Sequence, residues 1–331
     1  MSEGLAAGGA AAWQVRSGVA ARDRLPATDA RRKLQLALGA IWLLDGVLQY
    51  QSFMFTKAFP QMLAGTAPGN PAFIAGPINW SAHLIDHHVV LMNAAFATIQ
   101  LLLGLGIAWR PTVKIALAAS IVWAIAVWWL GEGLGLVLTG GASPVNGAPG
   151  AVIIYAVLAV LLWPAAAQRP ASSVAGRAVG GPAAKALWLI LWGSLAYFAL
   201  TPASRAAGAI SGMIAGMASG EPGWLGWIDS HLASALGHQG TWVSVLLAVT
   251  LAVVAVGVYL APRAARVAII LALVVAGALW LAEGLGGILT GSGTDPNSGP
   301  LLALLALAYW PARTSAAAPA DPARSMLKTG A

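Results

Sequence analysis

The sequence predicts an all-α membrane protein of eight transmembrane helices, built as two parallel four-helix repeats related by a pseudo-twofold axis along the membrane normal. Three observations carry this. Hydrophobic residues make up 59% of the 331 residues and charged residues 9%, and the apolar runs approach the ~20 residues that span a bilayer. The segment Trp129-Leu-Gly-Glu132-Gly-Leu-Gly135-Leu-Val-Leu-Thr139-Gly140 returns as Trp280-Leu-Ala-Glu283-Gly-Leu-Gly286-Gly-Ile-Leu-Thr290-Gly291, 151 positions later, which reads as a tandem duplication. Lysine and arginine are distributed asymmetrically between alternate loops, as the positive-inside rule requires.

Residues 1–33 mix small residues with Arg16, Arg22, Arg24, Arg31, Arg32 and Lys33 and lack an apolar core ahead of the charges; they read as a basic cytoplasmic tail, not a signal peptide. Apolar runs lie at Leu34 to Phe55, His88 to Trp109, Val113 to Leu138 and Gly150 to Trp163 in the first repeat, residues 34–164. After a Pro-, Gly- and Ser-bearing linker, residues 165–185, the second repeat (186–311) has runs at Ala186 to Leu200, Thr241 to Leu260, Ala264 to Leu289 and Leu301 to Trp310. Residues 312–331 are a second cytoplasmic tail.

With the amino terminus inside, 16 of the 18 Lys and Arg face the cytoplasm, and only Lys57 and Arg205 fall outside. An even number of spans per repeat makes the repeats parallel. The net charge of +7 is therefore topological and implies no nucleic acid. The absence of cysteine excludes disulfides and thiolate metal sites. Trp109, Trp163 and Trp310 mark the inner interface; Trp80, Trp224, Trp227 and Trp242 mark the outer one. The segments Phe53 to Ile85 and Pro202 to Gly237 read as surface-lying or re-entrant lids over the outer mouth.

This orientation gathers the polar chemistry at the outer leaflet. A carboxylate inside an apolar run is costly and marks a candidate site. Glu132 and Glu283 stand at equivalent positions in the outer half of each third helix. Asp45, near the middle of the first helix, falls on Trp192 when Trp42-Leu-Leu-Asp45-Gly46 is laid over Leu189-Ile-Leu-Trp192-Gly193, and Gln49 then falls on Ala196. Two glutamates are thus symmetric while Asp45 and Gln49 belong to the first repeat alone, the pattern of a single site between non-equivalent halves. Asn146 and Asn297 read as helix caps with prolines close behind, and the helices they open are short for spans. Paired short segments in corresponding positions point to a binding site, so the loops are expected to dip inward and bring helix amino termini to the glutamates.

The ligand-binding candidates are Glu132, Glu283, Asp45, Gln49, Asn146 and Asn297. Each has a structural alternative: the glutamates as acceptors for backbone amides that fix the loops, and Asp45 paired with Gln49 one turn on. The metal candidates are His83, His87 and His238, although His83-Leu-Ile-Asp86-His87-His88 carries no zinc-enzyme signature. The Gly131-Glu-Gly133 and Gly284-Leu-Gly286 patterns read as membrane packing inside helices, and no catalytic residues or required cofactor are identified.

The first helix, Leu36-Ala-Leu-Gly39-Ala-Ile-Trp42-Leu-Leu-Asp45-Gly46-Val-Leu-Gln49, and the stretch Trp128 to Gly135 resemble a family of uncharacterised actinobacterial integral membrane proteins. Over Leu34 to Gln49 the chain is also similar to the DoxX/DoxD family of quinone-linked four-helix membrane subunits, which implies a respiratory-membrane role without assigning residues. Three functions fit these readings. One moves or binds a small solute, proton or cation between the repeats. Another is a quinone-, haem- or metal-linked respiratory subunit or assembly factor, with His87 and His238 near the axis. The third is a non-catalytic scaffold for a membrane-protein partner. All three place the chain in the lipid bilayer of a bacterial cytoplasmic membrane.

Overall fold

A computed structural model describes residues 27–164, 171–218, 220–237 and 239–311. The outer parts of both tails, residues 165–170 of the linker and the candidate His238 lie outside the described residues. Among the described residues the chain is helical without strands. The first half contains α1 (Ala27–Leu48), α2 (Ala58–Ala64), α3 (Ala72–His87), α4 (Val89–Ala108), α5 (Val113–Leu130) and α6 (Ala151–Leu161). The second contains α7 (Val174–Val179), α8 (Gly181–Ala199), α9 (Pro202–Arg205), α10 (Ala209–Met217), α11 (Gly223–Leu236), α12 (Gly240–Gly257), α13 (Pro262–Ala282) and α14 (Ser298–Ala308).

Five helices, Val89–Ala108, Arg110–Leu130, Gly181–Ala199, Gly240–Gly257 and Pro262–Ala282, are long and apolar enough to cross a membrane. They are apolar on every side. Leu102, Ile115, Val122, Ile190, Leu246 and Val267 are all more than 60% exposed, which in water would be a costly apolar surface and in lipid is the ordinary outer face of a spanning helix.

Helix α1 carries charge at its start, Asp29 and Arg31 to Lys33, and begins seven residues before the apolar run does. The extra turns have a task. The Arg32 guanidinium donates to the carbonyls of Ile107 (2.9 Å) and Ala108, the orphan acceptors at the end of α4. Gln35 Nε2 caps the end of α6 likewise, on Leu162 O at 2.9 Å. The linker is also shorter than the charge pattern predicts: α7 and the first turn of α8 fall within it.

In packing order, α1 lies antiparallel on α4, α4 on α5 and α5 on α6; α8 lies on α12, α12 on α13 and α13 on α14. The two series meet where α6 packs against α14. Small residues set the first contact: a Cβ on Gly104 would sit 2.7 Å from Gly39 O and 2.6 Å from Leu43 Cγ, so α1 and α4 approach at backbone distance. The helices α6 and α14 are the most deeply buried, with Ile154, Tyr155, Leu158, Leu301, Leu302 and Ala306 at 0% exposure. At 11 residues each, they reach about 16 Å.

The ends of α5 and α13 depart from expectation. The apolar pattern runs on through Leu138 and Leu289, yet the helices stop at Leu130 and Ala282. Beyond each end the backbone makes one turn of the opposite hand: Gly133, Leu134, Gly135 and Leu136 have φ of 56°, 56°, 63° and 58°, and Gly284 to Gly287 have 59°, 53°, 72° and 67°. A leucine in this region costs roughly 1–2 kcal/mol, so surrounding contacts must hold it. A Cβ on Gly135 would lie 2.0 Å from Pro149 O, and one on Gly286 2.4 Å from Pro296 C. Glycine is thus required there twice, for its φ and for its closeness to the incoming loop. The GxG patterns are consequently not helix-interior packing, and the glutamates stand at the break, not within a helix.

Candidate functional site

Each reversed turn sets its glutamate against the amino terminus of a short helix. Glu132 Oε1 accepts from Val152 N at 3.3 Å, at the start of α6. Glu283 Oε1 accepts from Ser298 Oγ at 2.6 Å, at the start of α14. An anion is favoured where unpaired N–H groups point outward along a helix axis, and here it is the chain's own carboxylate. Each loop thus delivers a helix amino terminus to its glutamate. The capping roles divide: Asn297 is the N-cap of α14, its Oδ1 accepting from Ser298 N at 2.8 Å, whereas Asn146 ends a short 3-10 turn and Gly150 stands at the head of α6.

A cavity of about 540 Å³ opens beside Glu132, at the end of the molecule where α1 finishes. Its wall includes Asp45, Gln49, Glu132, Asn146 and Asn297. Five of the six ligand candidates are therefore brought together. Glu283, 1% exposed and bonded to Ser298, does not line it. Asp45 stands in the last turn of α1, not near the middle, because the helix starts early and ends at Leu48. Its partner is not Gln49 but Tyr155, whose hydroxyl donates to Oδ2 at 2.6 Å. Asp45 Oδ1, Gln49 Oε1, Gln100 Oε1 and Glu132 Oε2 are buried with no hydrogen-bond partner among the described residues.

Six further polar contributors were not singled out from sequence: Thr66, Ser81, Gln100, Tyr155, Thr294 and Asp295. Asp295 arrives from the other half, in the loop before α14. Its Oδ1 accepts from Asn297 N at 2.7 Å and its Oδ2 from Thr294 Oγ1 at 2.9 Å, which ties the loop into a turn. The signal for it existed: 151 positions earlier stands Pro144, so Asp295, like Asp45, has no counterpart. The same offset pairs Ser81 with Leu232, Gln100 with Leu251 and Tyr155 with Ala306. In the second half Trp192, at Asp45's position, and Leu251 are both fully buried.

The segment between α1 and α4 borders the cavity through Phe59, Met62 and Thr66, on and just after α2, and Ser81 and Ile85 on α3. Thr66 Oγ1 donates to Gly131 O at 3.1 Å, and Ser81 Oγ to Leu130 O at 3.2 Å, tying this segment to the end of α5. In the second half the segment between α8 and α12 carries Glu221 and the fully buried Asp229, where the first has Asn70 and Ile78 at the offset of 151. Burial, and then the neighbouring Asp229, pushes the Glu221 carboxyl up to about 7.

Of the metal candidates, His83 and His87 are exposed on α3, rings 4.3 Å apart, with His87 Nδ1 held at 2.8 Å from His83 O. Among the described residues no three His, Cys, Asp or Glu converge as metal ligands would. Comparison of the chain with protein-family models, with curated proteins and with solved structures returns no match.

Proposed function

We propose that the chain is an eight-span protein of the bacterial cytoplasmic membrane, with both termini inside, that binds and moves a small solute through one asymmetric site near the outer leaflet. α1, α4, α5 and α6 form the first repeat and α8, α12, α13 and α14 the second. The recurrence of the reversed turn, the capped glutamate and the 11-residue helix at a spacing of 151 supports this division. The short helices suit it too, since half-length helices whose amino termini meet loops within the membrane are the usual construction of such sites.

One observation carries the functional reading. Asp45 and Asp295, each present in a single half, line the same cavity. A scaffold has no use for a cavity of 540 Å³ with unpartnered buried acceptors in its wall. The glutamates divide between roles: Glu283 holds the α14 loop, and Glu132 both holds the α6 loop and lines the cavity.

The absence of cysteine makes the test direct. Single cysteines at Thr66 and Gln100 are expected to react with a membrane-impermeant thiol reagent added outside, as Lys57→Cys does, while Arg110→Cys reacts only from inside. A Gln100→Cys protein inert from both sides, with Lys57→Cys reactive, would show a sealed void and defeat the transport reading. Reaction of Lys57→Cys from inside would invert the topology.

A further inference from the structure

We infer that the cavity takes an organic cation: an ammonium or guanidinium group carried on an apolar body. The inference rests on the proposed binding function and adds the charge and class of the ligand. Its basis is the charge and chemistry of the wall. Among the described residues, the buried carboxyl oxygens Asp45 Oδ1 and Glu132 Oε2 have no hydrogen-bond partner, and both residues line the cavity. The amides of Gln49 and Gln100 bring donors as well as acceptors to the lining. A carboxyl oxygen without a partner is satisfied most strongly by a charged donor, which describes an ammonium or guanidinium group.

Charge points the same way. Asp45, Glu132 and Asp295 all line the cavity, and among the described residues no Lys, Arg or His does. An anion would meet three carboxyl groups and no counter-charge, and a neutral quinone would leave the charge of those groups unmatched. The remaining wall is apolar and includes five aromatic rings: Trp42, Phe59, Phe96, Trp123 and Tyr155. Such faces attract organic cations through the ring quadrupole and cover their apolar parts. A bare metal ion fits less well. Its oxygen ligands must converge to roughly 2–2.6 Å, whereas these groups are spread around a space in the range of about 300–1,000 Å³ that suits a small molecule.

The test uses the full chain in lipid nanodiscs and three probes of similar shape: benzylguanidinium, its neutral isostere benzylurea, and the anion phenylmethanesulfonate. Fixed charges keep the comparison independent of probe protonation. Calorimetric titration is expected to show the cation bound at least about tenfold more tightly than the other two, the size of a charge-assisted hydrogen bond. Asp45→Asn and Asp295→Asn should each weaken it by about tenfold, and Ala126→Trp, which fills the cavity, should abolish it. If Asp45→Asn fails to fold, Asp295→Asn reads the same quantity from a loop. Equal binding of the neutral isostere, lost in Ala126→Trp, would overturn the cation and leave the binding site standing. Binding of any probe unaffected by Ala126→Trp, or no binding by all three, would overturn both.

Discussion

The two halves of the molecule share a skeleton and differ in what they enclose. At positions 151 apart, both end a long helix, reverse the hand of the backbone for one turn and return through a short buried helix. Where the first half has Gln100 and Tyr155 beside a cavity, the second has Leu251 and Ala306, and the fully buried Trp192 stands opposite Asp45 when the first helices are aligned on Asp45-Gly46 and Trp192-Gly193. The lesson is one of separable demands. Backbone geometry that glycine and close approach dictate is kept in both halves, while polar lining is retained in one. A buried polar group that meets no ligand only destabilises, so the apolar lining is the more stable arrangement.

The largest effects should fall on the shared skeleton. Gly135→Ala and Gly286→Ala each force a Cβ into a loop carbonyl at positive φ, and each should cost about 3 kcal/mol or more. Loss of monodisperse protein in detergent measures this, and a large effect in one half alone would break the equivalence of the turns. The next test exchanges linings. Leu251→Gln buries an amide in a dry contact and should destabilise by about 2–3 kcal/mol. The reverse change, Gln100→Leu, should stabilise by about 1 kcal/mol while weakening binding in the cavity. Opposite shifts in thermal midpoint are expected, and shifts of the same sign would refute the contrast between a polar and an apolar lining.

A third test uses pH. Glu221 has a carboxyl raised to about 7 in the folded protein, so its protonated form is the one that folding favours. Its contribution is complete below the ordinary carboxyl range and is lost as pH rises through about 7. Wild-type stability should fall by about 1 kcal/mol across that window, allowing for screening at this half-buried group. Glu221→Gln, which installs an amide like that of its counterpart Asn70, should flatten the profile. Smallest is Leu136→Gly, which gives the first turn the residue the second has at Gly287. Removing a left-handed leucine should raise stability by up to about 1 kcal/mol, less whatever packing its half-buried side chain contributes.

Much of the architecture was legible in the sequence, for physical reasons that also explain the rest. Hydropathy located the apolar helices because lipid and core both demand apolar faces, and the prolines and asparagines before α6 and α14 announced short helices entering from loops. Hydropathy was blind to where α5 and α13 stop, since Leu134 and Leu136 are as apolar left-handed as right-handed. The alternate glycines at 131, 133 and 135 were the available sign. Asp45 stood out because a charge in an apolar run is conspicuous. Its partner Tyr155, 110 residues away, was hidden because pairing depends on how α1 and α6 pack. Asp295 was overlooked because a charge in a loop is ordinary, and only comparison with Pro144 makes it unusual.

The loop from Thr294 to Asn297 gives the asymmetry a genetic form. Wall and closing loop are encoded at opposite ends of the chain, so neither half can inherit the cavity by itself. A gene split between codons 164 and 171 would yield two products, each lacking part of the enclosure, and activity would depend on both being made in the same cell. Lesions at Asp45 and at Asp295, carried on separate copies of the whole gene, would leave every molecule with one defect, and the two copies would fail to complement.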